Sequence, residues 1–322
     1  MLRNLIIVLS IIFLFSANHV FAGFMVEVPK SVKQGGVIKI VIRDDDSSWS
    51  EKAYVVSPFF PDAFSENDMP RFPVKIVPGL FLSLIPISVT ELPGKGKICV
   101  TTDQYHECHW IEIEKADFPV SDGVSFVGEP SGKLKKKFDG EKAELKRIFV
   151  LVTPERFWKE DLKFSPPLKE MAVTSPFGKI RHKISNKDGK WDVNHFGVDL
   201  RADVGTLVYA AEKGVVRIAA NFLAEGNMVF IDHGYGLVSL YFHLSRLKVK
   251  KGEVVKKGEE IGRSGQTGAA IGPHLHFEIR LYGIAVSSWN FIAQPPMFEQ
   301  KAVPPPVKKH SAVKPSKKRG RK

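Results

Sequence analysis

Two stretches of the chain, from Phe24 to about Phe126 and from 168 to 292, set their apolar residues in short runs broken by Gly and Pro. Runs of that length, alternating or continuously apolar between turn residues, are strand chemistry. In the first stretch they read VIKIVI at 37–42, PVKIV at 73–77, KICVTT at 97–102 and WIEIE at 110–114, spaced as in an antiparallel β-sandwich of immunoglobulin-like type. In the second they read GTLVYAAEKGVVRIAA, NMVFIDHG, LVSLYFHL and HLHFEIRLYG, with helix-length periodicity nearly absent. The chain is therefore expected to be mainly β, in two domains. At 322 residues, 43% hydrophobic and 25% charged, it has the apolar mass for two cores, and wholesale disorder is excluded.

The remaining segments set the boundaries. Residues 1–22 carry one basic residue, an apolar run from Leu5 to Phe15 and Val20-Phe21-Ala22 before Gly23, the three regions of a secretory leader with cleavage after Ala22. If it is not cleaved, the same stretch is a membrane anchor. The expected order is then a leader at 1–22, a sandwich at 23–130, a partly helical linker at 131–165 broken at Pro154, a second β-rich domain at 166–296 and a disordered Pro- and Lys-rich tail at 297–322. The location is export, to a periplasm or cell envelope.

The formal charge of +12 is concentrated: residues 301–322 hold nine basic residues and no acid, which leaves the folded body close to neutral. No nucleic-acid partner is expected. On an exported chain the tail suits anionic envelope polymers or lipid head groups, with simple solubilisation as the other reading. Cys99 and Cys108 are nine positions apart, and in an oxidising compartment they are expected to pair across a hairpin. A metal site built on His106-Glu107-Cys108-His109 is the alternative.

The chemistry concentrates in histidines of the second stretch. On a strand His274 and His276 share a face, with Leu275 turned away. In NHFGVDL, His195 and Asp199 share a face whether the segment is extended or helical, and Gly197 clears space between them if it is extended. Two imidazoles and one carboxylate with a free fourth position match catalytic rather than structural zinc. Simple alternation in LVSLYFHL sets Leu237, Ser239, Tyr241 and His243 on one face, from which His243 would reach the site as a non-ligand imidazole. His233, in DHGYG, reads as a hairpin-turn residue with local hydrogen bonds.

Taken in order, HFGVDLRADVGTLVYAAEKGVV, MVFIDHGYGLVSLYFHLS and KVKKGEVVKKGEEIGRSGQTGAAIGPHLHFEI resemble the lysostaphin/LytM-type zinc metallopeptidases that cleave peptide bonds of peptidoglycan, over about Ser175 to Tyr282. The resemblance implies a duplicated-hybrid, barrel-sandwich fold for the second domain. It implies that His195, Asp199 and His276 hold Zn2+, that His243 and His274 are catalytic, and that the partners are stem and cross-link peptides of peptidoglycan. Arg181 resembles a position often basic in that family, where it would meet a substrate carboxylate or pair locally. Some such proteins have lost ligands and only activate a cell-wall amidase, and that non-catalytic role is the alternative reading; here all five positions are kept. Where relatives often run into Asp-Pro, this chain has AVSSWNFI, which leaves that wall of the site undefined by the resemblance.

Overall fold

The computed structural model describes residues 19–21, 24–44, 54–56, 74–77, 79–101, 106–126, 128, 130–159 and 161–293. The basic tail and most of the expected leader lie outside them. His19–Phe21, at the end of that leader, is the edge strand beside Phe24–Glu27.

The chain is mainly β, as its punctuation implies. The N-terminal part forms a sandwich-like pair of sheets. One has five strands, with Val37–Asp44 between Phe24–Glu27 and Leu80–Pro86; the other has four, centred on His106–Glu114 and Gly94–Thr101. Alternation along VIKIVI sends Ile38, Ile40 and Ile42 inward, where they meet Ile98, Val100, Ile111 and Ile113 of the other sheet in one core. Cys99 and Cys108 stand directly opposite each other in the hairpin of the four-stranded sheet and form a disulfide, S–S 2.07 Å.

The other face of VIKIVI is also used. Val37, Leu82 and Leu84 pack into the core of the C-terminal part, so the sandwich is seated on that domain. The seat is AVSSWNFI: Ser287 N donates to Gly35 O at 2.8 Å, Asn290 Nδ2 to the same oxygen at 3.2 Å, and Phe291 is buried in the shared core. The departure from the family pattern noted above is thus the docking surface of the N-terminal domain. Val120–Phe126, within the span expected for the sandwich, instead pairs in parallel with Ile180–Ser185.

The C-terminal part is built on an eight-stranded sheet in which His274–Leu281 lies between Val198–Arg201 and Leu237–Leu244. Leu275, Phe277, Ile279 and Leu281 fill the core on one face, while His274, His276, Glu278 and Arg280 take the other. The stretch 132–149 is one continuous helix, α1 (Gly132–Phe149), which ends before Pro154. Its buried Leu145 and Ile148 cover Met228, Phe230, Val238 and Leu240 of the sheet, on the same face as His276. No helix among the described residues is long and apolar enough to cross a membrane.

Candidate metal and catalytic site

The site begins with a register. In the antiparallel pair of Val198–Arg201 and His274–Leu281, Asp199 stands opposite His276, so carboxylate and imidazole share a face as neighbours. Asp199 Oδ1 is 2.9 Å from His276 Nδ1 and 3.0 Å from His195 Nε2, and those two nitrogens are 3.0 Å apart. His195 sits just before the strand, and Gly197 makes the approach feasible: a Cβ there would lie 2.6 Å from His276 Nε2 and 2.6 Å from the Phe277 carbonyl oxygen.

Each ring is oriented by a partner behind it. His195 Nδ1 is 3.0 Å from Pro176 O, His243 Nδ1 is 2.9 Å from Thr267 O, and His274 Nδ1 is 2.8 Å from Gly272 O. A carbonyl can only accept, so Nδ1 of each ring carries the proton and Nε2 of the neutral ring keeps its lone pair. His276 is held the other way round, with Nε2 3.3 Å from Glu278 Oε2 and Nδ1 turned to Asp199. Phe242 stacks on the His276 ring at 4.9 Å and 6°.

The electrostatics follow from these contacts. Burial acts to raise the Asp199 carboxyl, but hydrogen bonds and charge from His195 and His276 hold it far below the usual carboxylate range. Burial lowers His195 despite its bond to Asp199. In His276 the two carboxylates overcome burial and push it up to about 9. Burial brings His243 down to about 4, against its bond to Thr267. His243 is therefore neutral at pH 7.

The donor set fits a metal ion. Three ligand atoms 2.9–3.0 Å apart lie close to the edges, about 3.3 Å, of a tetrahedron with metal–ligand bonds of about 2.0–2.1 Å. Acceptors behind the histidine ligands are the outer shell that such sites use to fix ring orientation. His195 Nε2 and His276 Nδ1, facing each other this closely, need a proton or a cation between them.

His274 joins this cluster, its Nε2 3.7 Å from Asp199 Oδ1, and His243 lies beside it with ring centroids 4.8 Å apart. The alternation expected for LVSLYFHL is corrected here. Between Val229↔Tyr241 and Asn227↔Leu244 the strand gains a residue, and His243 has φ 62°. This bulge turns His243 from the core face of Tyr241 to the face of Phe242 and His276, and His is one of the residues that tolerate that conformation. Thr267 pins it: its hydroxyl donates to Leu244 O at 2.8 Å and accepts from Asn227 N at 2.9 Å, while its carbonyl receives His243.

Arg181 pairs locally: Nη2 donates to Asp199 Oδ2 at 2.7 Å and to Ser175 Oγ at 3.0 Å. His233 is fully buried with both ring nitrogens engaged, on Lys213 O and Ser239 Oγ at 2.8 Å each, in the turn between its two strands. Sequence reasoning missed Glu278 and Arg280, although two more steps of the His274-His276 alternation reach both. It had no signal for Pro176, Thr267 or Phe149, which come from distant turns and a separate helix.

Residues 193–288 match peptidase family M23. The chain is 44% identical over 94 residues to the peptidoglycan DD-endopeptidase ShyA of Vibrio cholerae, covering 29% of this chain and 22% of that protein. It is 40% identical over 121 residues to the DD-carboxypeptidase/endopeptidase Mpg of Neisseria meningitidis, covering 38% and 27%. The matched region thus spans about a quarter of these relatives' own length. A crystal structure of a candidate M23 peptidase from Pseudomonas aeruginosa shares the fold, with TM-score 0.58, 22% identity, and coverage of 80% of this chain and 93% of that one. The likeness to peptidase family M23 covers residues 193–288, the part of the chain that holds His195, Asp199, His243, His274 and His276.

Proposed function

We propose that the chain is an exported zinc metalloendopeptidase that hydrolyses peptide cross-links of peptidoglycan. The observation that carries this reading is the mutual approach of His195 Nε2, Asp199 Oδ1 and His276 Nδ1 within 3.0 Å, beside two further histidines. The names of the Vibrio and Neisseria relatives supply the substrate class.

His195, Asp199 and His276 would hold the zinc, which supplies Lewis acidity toward a carbonyl and acidifies water. His243, neutral and with Nε2 free to accept, takes up the proton of the attacking water and returns it to the leaving amine. His274, its Nε2 3.7 Å from Asp199 Oδ1, faces the same site, where that nitrogen can accept a hydrogen bond from the attacking water. Arg181 holds the outer oxygen of Asp199, leaving Oδ1 aimed at the two histidines.

Export rests on the leader-like N-terminus, and retention near anionic envelope polymers rests on the basic tail. The five-residue set counts against a purely activating role. Incubating the full chain with purified peptidoglycan, with zinc or with chelator, and weighing the released peptides tests the reading. Zinc-dependent new amino termini are expected, and their absence from metal-loaded protein rejects it.

A further inference from the structure

A groove of about 670 Å³ runs over the site face of the sheet, and its walls come from three parts of the chain. His195, Phe242 and His276 line it from the M23-like part, Arg181 and Lys183 from Ile180–Ser185, and Lys142, Leu145, Lys146 and Phe149 from α1. The helix lies wholly before the matched residues 193–288. It is fixed in place: Leu145 and Ile148 are buried against the sheet, Glu141 Oε2 accepts from Leu223 N at 2.9 Å, and the Arg280 guanidinium lies 3.9 Å from the Phe149 ring centroid. Arg280 is itself held by Glu278 and by Gly283 O.

The charges of the groove do not cancel. Arg181 is taken by Asp199 and Arg280 by Glu278. Elsewhere on α1, Lys135 pairs with Asp139 and Lys137 with Glu141. Lys142 and Lys146, one helical turn apart on the groove side, have no ion-pair partner among the described residues, nor does Lys183. Glu225 is the remaining acid of the lining, and burial raises its carboxyl toward the neutral form. The groove therefore offers three cations, two of them from α1, to whatever lies along it.

We propose that α1 is the specificity wall of the peptidase groove, with Lys142 and Lys146, together with Lys183, receiving free carboxylates of the substrate peptide. This rests on the peptidase reading above. A peptide with several uncapped carboxylates along its stem is the ligand that matches the surplus, and amidation of those carboxylates removes the match without changing the scissile bond.

The test uses the full chain and two cross-linked wall peptides, one with free carboxylates and one with them amidated. Binding is read by calorimetry on the His243→Ala protein, so that turnover does not consume the peptide. The acid form should bind about tenfold tighter than the amide at low salt. Adding Lys142→Gln and Lys146→Gln, exchanges that suit exposed helix positions, should cut that preference to the part Lys183 supplies, and adding Lys183→Gln should abolish it. Equal binding of the two peptides by the parent protein, a preference unchanged by the double exchange, or no binding at all overturns the proposal. Retained preference in a wild-type chain that hydrolyses neither peptide supports the groove assignment and rejects only the reaction.

Discussion

Arg181 Nη2 lies 2.7 Å from Asp199 Oδ2, the oxygen that touches neither His195 nor His276. One guanidinium thereby fixes the rotation of the only carboxylate in the donor set. Arg181→Gln should lower metal affinity about 10–100-fold, the usual cost of losing such a partner. Competition against a chelating dye measures it. Unchanged metal affinity with a raised KM would instead make Arg181 a substrate contact.

Gly197→Ala should remove metal binding and destabilise the fold by about 1–3 kcal/mol or more, because the added methyl meets both the His276 ring and the Phe277 carbonyl. The ring could turn aside, but the carbonyl belongs to a central strand. Thermal unfolding with and without zinc reads both effects, and a variant that keeps its zinc-dependent rise in Tm would contradict the packing described.

His233 gives a pH dependence of stability unrelated to the metal. Its fold-imposed value is about 4 against 6.5 for an ordinary histidine, with burial as the main cause. Between those values the unfolded chain binds the proton and the folded chain does not. Stability therefore falls as pH drops from about 6.5 to 4, by roughly 3 kcal/mol from this group. Urea unfolding at pH 7 and pH 4.5 should show a shallower loss in His233→Gln than in the wild type; equal losses would count against the assignment.

Removing α1 uncovers the sheet surface formed by Met228, Phe230, Val238 and Leu240. A fragment starting at 166 should therefore be less soluble and melt lower than one starting at 130, although both contain the whole M23 match. Equal melting temperatures would mean that the helix contributes little to the domain.

How much of this was legible in the sequence depended on period and locality. The apolar run VIKIVI marks a strand and the two-residue repeat puts His274 and His276 on one face, and the gap at Gly197 is readable because one residue separates it from each neighbour of interest. His243 was assigned to the site, but by an alternation that its bulge breaks; the device that turns it, Thr267, lies 24 positions away. α1 was read as a weak helix in a linker because its charged exposed face hides that only Leu145 and Ile148 are buried. Its place beside the site is a tertiary fact, set by which strand faces remain uncovered.

Whether His195, Asp199 and His276 hold a zinc ion that acts with His243 on peptidoglycan cross-links, as proposed above, is decided by following peptide release from purified peptidoglycan by mass, with the full chain as wild type, His276→Ala and His243→Ala, while zinc content is measured on the same samples. Zinc-dependent cleavage is expected for the wild type, loss of both zinc and cleavage for His276→Ala, and loss of cleavage with zinc retained for His243→Ala. Cleavage that persists in His276→Ala, or folded and zinc-loaded wild type that releases nothing, overturns the proposal.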